Sequence, residues 1–321
     1  MLQDGFAHNP RTLLHIAPYL RSRSVLPSDI FKRAGVSPSM LLNGNGWVPR
    51  DLCFTLGSEL YAATGERFPG ADVGRMFKLT DLGTWGRAIC GARTVREACE
   101  TAVNGIGLIH QGTDLRFEAG EEHAVLSLSF AGRTTSDPQQ HVLGALAVLR
   151  GIALLAGVPD AVSAQFVQPY QRAGERLEET FGPSLAFACD RDGIVIDRSI
   201  LDFPLPSSDR VAQAGDPAET AERLGGLVTE LLPYGGVSID GVARLLHLSR
   251  RTLQRRLRDF GFAFEELVDD VRRVEAIRRV ALGEESAIEI AFMLGYSDQA
   301  HFSRAFRRWT GLSPREYARR A

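Results

Sequence analysis

The residues best suited to chemistry lie near the end of the chain. Ser249 to Arg258 reads S-R-R-T-L-Q-R-R-L-R, with five arginines and no acid in ten positions. Arginine presents two donors that match O6 and N7 of guanine, and a glutamine amide matches N6 and N7 of adenine. On a helix, Leu253 and Leu257 fall one turn apart and form a buried stripe. Arg251, Gln254, Arg255 and Arg258 then lie largely on the other side, with Arg250 and Thr252 in the first turn. A second set of polar side chains follows at Gln299, His301, Ser303, Arg304, Arg307 and Arg308. One such helix is equally well explained as a solvated, salt-bridged surface. Two in matching contexts point to an anionic polymer.

The context is an internal repeat. One copy is VARLLHLSRRTLQRRLRDFG, residues 242–261, and the other is IAFMLGYSDQAHFSRAFRRWTG, residues 290–311. Ala243 matches Ala291 at an offset of 48, while Leu253, Arg255, Leu257 and Phe260 match Phe302, Arg304, Phe306 and Trp309 at an offset of 49. The one-residue difference falls in a turn, so each copy predicts a helix-turn-helix. Val242, Leu245 and Leu246, or Ile290, Met293 and Leu294, form the apolar face of the first helix. The small Ala243 and Ala291 sit where two helices must approach closely. Gly295 supplies backbone freedom in the second turn. Ser249, and Ser297 or Asp298, cap the following helix.

Between the copies, Phe264–Leu282 predicts a helix with its stripe at Leu267, Val271, Val274 and Ile277. At about 1.5 Å per residue it spans roughly 28 Å. That length suits two recognition helices about one DNA turn, ~34 Å, apart on one face of a duplex.

Whole-chain composition hides this feature. The 321 residues suggest two domains, and 37 basic against 39 acidic residues give a formal net charge of −2. The charge is split: residues 237–321 carry 16 Arg and 12 acids, and residues 1–236 carry 21 basic and 27 acidic residues. An acidic block joined to a basic helical one excludes a uniformly basic coat protein and an acidic disordered tail. Lys32 and Lys78 are the only lysines. Genomic base composition is a sufficient account of the arginine excess outside the recognition helices.

Targeting, membrane and redox signals are weak. The N-terminus carries Asp4 and no long apolar run, so no signal peptide is expected. The apolar stretch 142–158 contains Arg150 and predicts a buried core helix rather than a membrane span. Cys53, Cys90, Cys99 and Cys189 form no C-x-x-C pair, and no Cys/His cluster has zinc-ligand spacing. Reduced thiols in the cytoplasm, no metal and no cofactor are the expectation.

The stretch 226–320 resembles the AraC/XylS family of bacterial transcription regulators. The most specific part is I-A-F-M-L-G-Y-S-D-Q-A-H-F-S-R-A-F-R-R-W-T-G-L-S-P-R-E-Y, residues 290–317. Carried over by position, the resemblance implicates Arg251, Gln254 and Arg255 in the first recognition helix and Gln299 and Arg304 in the second. Ala300 departs from relatives that hold a longer polar residue there, which implies weaker reading by the second helix. Gly311, Pro314 and Tyr317 are implied to be structural.

Residues 1–205 read as an α+β domain. Helices are expected at 12–21, 27–34, 38–42, 50–64, 95–108, 141–156 and 173–181, and strands at 113–118, 123–130, 163–168, 186–189 and 194–196. Strands mixed with helices without regular alternation fit that class. Residues 206–217, with their prolines, read as a linker, and 218–321 as an all-α domain with two helix-turn-helix motifs joined by a linker helix. Residues 166–169, 176–182, 185–187 and 201–205 resemble the "arabinose-binding" type N-terminal domain of regulators similar to the ornithine- and arginine-responsive ones. That resemblance implies effector sensing and dimerisation. The expected partners are promoter or operator DNA, a small-molecule effector, a second copy of the chain and RNA polymerase.

No effector pocket is marked by the sequence. Arg87, Arg93, His110 and Arg150 are candidates to pair with an anionic effector, each also explained as surface or core-edge charge. Two alternatives are an N-terminal enzyme fused to a DNA-binding module and an effector-independent architectural DNA-binding protein. No G-x-S-x-G or phosphate loop supports the first, and GIGLIHQG at 105–112 lacks the strand–turn–helix context of a dinucleotide site.

Overall fold

The structure, a computed structural model, describes residues 6–37, 40–41, 47–169, 174–205, 224, 227–234, 237–246, 248–259 and 263–320. The chain divides into two units, the first from residues 1–36 and 47–218 and the second mainly from residues 219–321. The expected linker at 206–217 lies outside the described residues, as do most of the expected helix 38–42 and the start of the all-α domain expected at 218–321.

The first unit opens with a two-residue strand β1 (Ala7–His8), a 3-10 turn, and helices α1 (Ile16–Ser22) and α2 (Pro27–Arg33). Strand β2 (Val48–Pro49) pairs antiparallel with β1. Helix α3 (Arg50–Thr64) ends at Gly65, whose φ of 68° provides a left-handed cap. Then come α4 (Pro69–Arg75), α5 (Gly83–Cys90) and α6 (Val95–Gly105), the last capped by the Thr94 hydroxyl accepting from Glu97 N at 3.1 Å.

Next come strands β3 (Thr113–Ala119) and β4 (His123–Phe130), helix α7 (Gln139–Ala153), β5 (Val162–Gln165), α8 (Gly174–Phe181), β6 (Leu185–Ala186) and β7 (Asp192–Asp197). The sheet order is β3-β4-β7-β5-β6, antiparallel except for the β5–β6 pair. Alternation sends Ala124, Leu126 and Leu128 of β4 inward. Across the sheet, Leu126 opposes Ile194, which opposes Ala164, giving a continuous apolar face. Helix α7 packs over β7 with Leu143, Leu146 and Ile152 buried. This places the apolar stretch in the core, as expected.

The expected bounds of the short strands need correction. The strands expected at 163–168 and 186–189 end early, at Gln165 and Ala186, because Val167 N–H bonds the Asp192 carboxylate at 3.0 Å and Ala188 has a φ of +56°, while the one expected at 194–196 is longer, Asp192–Asp197. Helices α4 and α5 also had no clear signal. The α4 sequence PGADVGR is poor in helix formers. It is helical because its glycines let it lie directly on α7. A Cβ at Gly70 would meet the Gln140 carbonyl at 1.8 Å, and one at Gly74 would meet the Gly144 carbonyl at 2.4 Å.

The second unit contains α9 (Ile239–Leu245), α10 (Arg250–Asp259), α11 (Phe264–Leu282), α12 (Ala287–Met293), α13 (Gln299–Thr310) and α14 (Pro314–Ala318). The connector α11 has the expected bounds but not the expected stripe, since Val274 is exposed. Phe264, Leu267, Val268 and Val271 are buried in its first half and Ala276 and Val280 in its second. At 100° per residue those sets lie on different faces. A single-stripe reading fails because the helix has two sets of neighbours.

Candidate functional site

The two helix-turn-helix copies share their backbone bonding as well as their sequence. Leu248 N–H donates to Ala243 O at 2.8 Å, and Tyr296 N–H donates to Ala291 O at 2.9 Å. Both alanines are buried. Ser249 caps α10 by accepting from Thr252 N at 3.1 Å. In the second copy Asp298 is the cap, accepting from His301 N at 2.8 Å, so Ser297 is the extra turn residue. That bond holds the Asp298 carboxyl below its ordinary range. Gly295 has a φ of +73°, and a Cβ there would meet the Leu232 carbonyl at 2.7 Å. Both conditions call for glycine.

The inward stripes are Leu253 and Leu257 on α10 and Phe302, Ala305 and Phe306 on α13, all buried. Outward, Arg251, Gln254, Arg255, Arg258, Gln299, His301, Arg304, Arg307 and Arg308 are exposed. Several are committed to the protein itself. Arg250 pairs with Asp240 at 3.2 Å, and the Thr252 hydroxyl lies 2.8 Å from that of Ser249. The His301 ring reaches the Asp298 carboxylate at 2.7 Å, and Ser303 is half-buried. Arg308 donates to Asp269 at 2.6 Å, and the Trp309 indole donates to the same carboxylate at 3.0 Å. Arg272 adds a bond to Leu294 O at 2.9 Å. Together they bind α11 to the second motif. Among the described residues, Arg251, Gln254, Arg255, Gln299 and Arg304 carry no ion pair.

The last turns close as the resemblance implied. Gly311 caps α13 with a φ of +76°, Pro314 is buried at the start of α14, and Tyr317 meets Phe306 edge-on at 5.5 Å.

The first unit assembles a cluster that no local pattern marks. His8 of β1, His110 and His141 of α7 stack, with ring centroids 4.0 Å apart for His8–His110 and 4.6 Å for His8–His141. One nitrogen from each lies within 4.8 Å of the others, so they are the described residues that could hold a metal ion. Burial holds all three imidazoles neutral, with His141 lowered to about 4. The Arg50 guanidinium reinforces this for His8 and His141. It donates to Ala131 O at 2.7 Å and lies over the Phe6 ring. A cation behind the cluster opposes a metal ion in it.

Of the earlier anion-pairing candidates, only His110 belongs here. Arg87 and Arg93 are exposed, Arg93 pairing with Glu97 at 3.2 Å, and Arg150 lies outside the cluster. The thiols of Cys53, Cys90 and Cys99 are pushed up by burial, Cys99 to about 12, the opposite of a reactive cysteine.

Residues 25–205, more than half of the chain, match the family model "Arabinose-binding domain of AraC transcription regulator, N-term". The chain belongs to this family of AraC-type transcription regulators. Residues 242–320 match a helix-turn-helix domain model. An uncharacterized HTH-type transcriptional regulator of Mycobacterium tuberculosis is 29% identical over 273 residues, covering 78% of each chain. The ornithine utilization regulator of Pseudomonas aeruginosa is 27% identical, covering 94% of this chain and 92% of its own. The crystal structure of transcriptional regulator CdpR from Pseudomonas aeruginosa covers 94% of this chain and 98% of its own, at 22% identity and a TM-score of 0.38. As an AraC-type regulator the chain joins an α+β ligand-binding domain to a helical DNA-binding domain.

Sequence reasoning missed His8 and His141, and it missed the tie from Asp269 and Arg272. No local signal identifies either group, because each acquires its role from residues distant in sequence.

Proposed function

We propose that this AraC-type regulator reads two successive major-groove segments from one face of the duplex, using α10 and α13. The observation that carries this reading is the outward display of long polar side chains without ion pairs on the second helix of both copies, with Arg255 and Arg304 at equivalent positions. In this assignment Arg251, Gln254, Arg255, Gln299 and Arg304 contact base edges. Arg250, Thr252, Arg258, His301, Ser303, Arg307 and Arg308 flank them and set the pose on the phosphates. The short Ala300 leaves the second helix the poorer reader.

The same reading makes the chain a cytoplasmic, homodimeric activator that works with RNA polymerase and is not an enzyme. The matched family model and regulators support a DNA-binding transcription regulator; the homodimer, the activation and the polymerase contact belong to the proposal. A small molecule bound by the N-terminal domain controls it, and does so only if it binds the DNA-competent arrangement more tightly than the other.

Fluorescence anisotropy on an operator selected from genomic DNA tests the interface. Arg255→Ala is expected to cost about 1–3 kcal/mol and to relax base preference at one position. Affinity is expected to fall steeply with salt. Equal loss on every sequence would make Arg255 a phosphate contact, and a flat salt response would sink the DNA interface.

A further inference from the structure

The histidine cluster borders a cavity of about 80 Å³, with His110 and His141 on its wall. Both ring nitrogens of His110 are buried there without a hydrogen-bond partner among the described residues. That volume is about half of an engineered ~150 Å³ cavity that accepts benzene, too little for a metabolite of ordinary size. A wider cleft, of about 220 Å³, lies on another face of α7. Its wall is largely hydrocarbon. Phe68 precedes α4, Val142 and Leu143 come from α7, Phe166 follows β5, Leu177 belongs to α8 and Phe187 follows β6. The buried Phe166 ring stacks on Phe187 with centroids 5.4 Å apart and meets Phe181 edge-on at the same distance. Those contacts fix the aromatic wall in place.

Polar groups at this wall are few, and most are engaged. The Gln139 amide donates to the Gln168 side chain at 2.6 Å, and Gln139 N–H donates to the Asp137 carboxylate at 3.0 Å. Asp137 is exposed at the rim. Asp192 differs. It is half-buried at the start of β7, and one carboxylate oxygen accepts from Val167 N–H at 3.0 Å. Among the described residues it has no ion pair, and none of the described residues lining the cleft is basic. Arg67, whose guanidinium lies 5.8 Å from the centre of the Phe68 ring, lines an adjoining cleft instead. Burial accordingly pushes the Asp192 carboxyl up. A desolvated carboxylate on an apolar wall repels anions and gains most from a cation that also donates a hydrogen bond. A hard metal ion asks for about six or more oxygen ligands, which a hydrocarbon wall does not supply. An organic ammonium brings the charge, the donor and a carbon body together.

We propose that this cleft binds a small primary monoamine with an apolar, arylalkyl-sized body, its ammonium donating to Asp192 and its carbon skeleton lying against Phe68, Leu143, Phe166 and Leu177. This names the effector class for the effector-controlled reading and rests on that reading. Size agrees with the assignment. The cleft is about one and a half times the ~150 Å³ that accepts benzene, and phenethylamine is benzene extended by about half its heavy atoms.

The test is thermal shift and calorimetry on the full chain with phenethylamine, phenethyl alcohol, hydrocinnamate and L-ornithine. Phenethylamine is expected to raise the Tm saturably. The alcohol, which matches its shape without its charge, is expected to bind about tenfold more weakly, and hydrocinnamate not at all. Asp192→Asn keeps an oxygen to accept from Val167 N–H and removes the charge. That variant is expected to bind amine and alcohol equally, with the affinity for the alcohol unchanged, a pattern that loss of structure does not produce. Val142→Phe, which adds carbon at the wall, is expected to abolish binding of both, and keeps the test decisive if the Asp192 variant fails to fold. Equal affinity for amine and alcohol in the unaltered chain, preference for hydrocinnamate or L-ornithine, or no shift with phenethylamine would overturn the proposal. So would a preference for the amine that survives Asp192→Asn, or binding that survives Val142→Phe. DNA affinity measured alongside separates the two readings. Phenethylamine binding without a change in DNA affinity supports the site and sinks effector control by it. A DNA response to another metabolite, with no binding of phenethylamine, sinks the site alone.

Discussion

Arg255 and His110 both belong to candidate binding sites, yet they reach them by opposite routes. Arg255 is exposed on a ten-residue helix whose pattern supplies nearly the whole recognition face. His110 is buried, and its partners His8 and His141 come from a strand at one end of the unit's sequence and a helix well past its middle. A surface that reads a polymer is built from consecutive turns of one helix, so its chemistry is local. A site that encloses a small molecule needs walls on several sides, so its residues come from several elements.

The contrast is open to measurement, and the largest effect lies with the buried cluster. His141 titrates at about 4 when folded, with His8 and His110 also lowered, whereas an unfolded histidine titrates near 6.5. Between those values the unfolded chain binds more protons. Stability of the first unit is therefore full above about pH 6.5 and is lost as pH falls toward 4. Each imidazole that charges only on unfolding contributes about 1.4 kcal/mol per pH unit. Denaturant melts across that window measure the slope, and His141→Phe is expected to flatten it. An unchanged slope in that variant would remove the cluster from the account.

Gly70→Ala sharpens the contrast by striking only the first unit. The added methyl group meets the Gln140 backbone at 1.8 Å, and overpacking of this kind costs about 1–3 kcal/mol. A lower melting transition for that unit is expected, and a neutral result would show that α4 and α7 part without cost. The smallest effect belongs to the second unit. Asp269→Ala removes the shared acceptor of Arg308 and Trp309, and the loss is expected to be about 1 kcal/mol because the group is partly exposed. Urea titration gives the value. If specific DNA binding falls while stability does not, Asp269 positions α13 rather than merely holding it.

Legibility followed the same division. The repeat, both recognition helices, the cap at Ser249 and the bounds of α11 were readable, because capping and helical spacing are local rules. Sequence offers Ser297 and Asp298 equally as the second cap, and the bond from His301 N–H to the Asp298 carboxylate decides it. The stripe of α11 was misread at Val274, since periodicity does not say how many neighbours a helix has. Strands β3 and β4 were clear from alternation, while the glycine-bearing α4 was not, being held by close approach to α7.

The sequence by itself therefore determined the domain class, the doubled helix-turn-helix and the arginine-lined faces that mark a DNA reader. Tertiary structure alone decided which recognition-helix side chains stay outward without ion pairs, and how Asp269 and Arg272 hold the second motif to its connector. It also decided that three histidines scattered along the chain share one buried site beside Arg50. The physical reason is range. Helix periodicity and capping act within a few residues, whereas burial, unpaired nitrogens and the field of a buried guanidinium exist only once distant segments pack together.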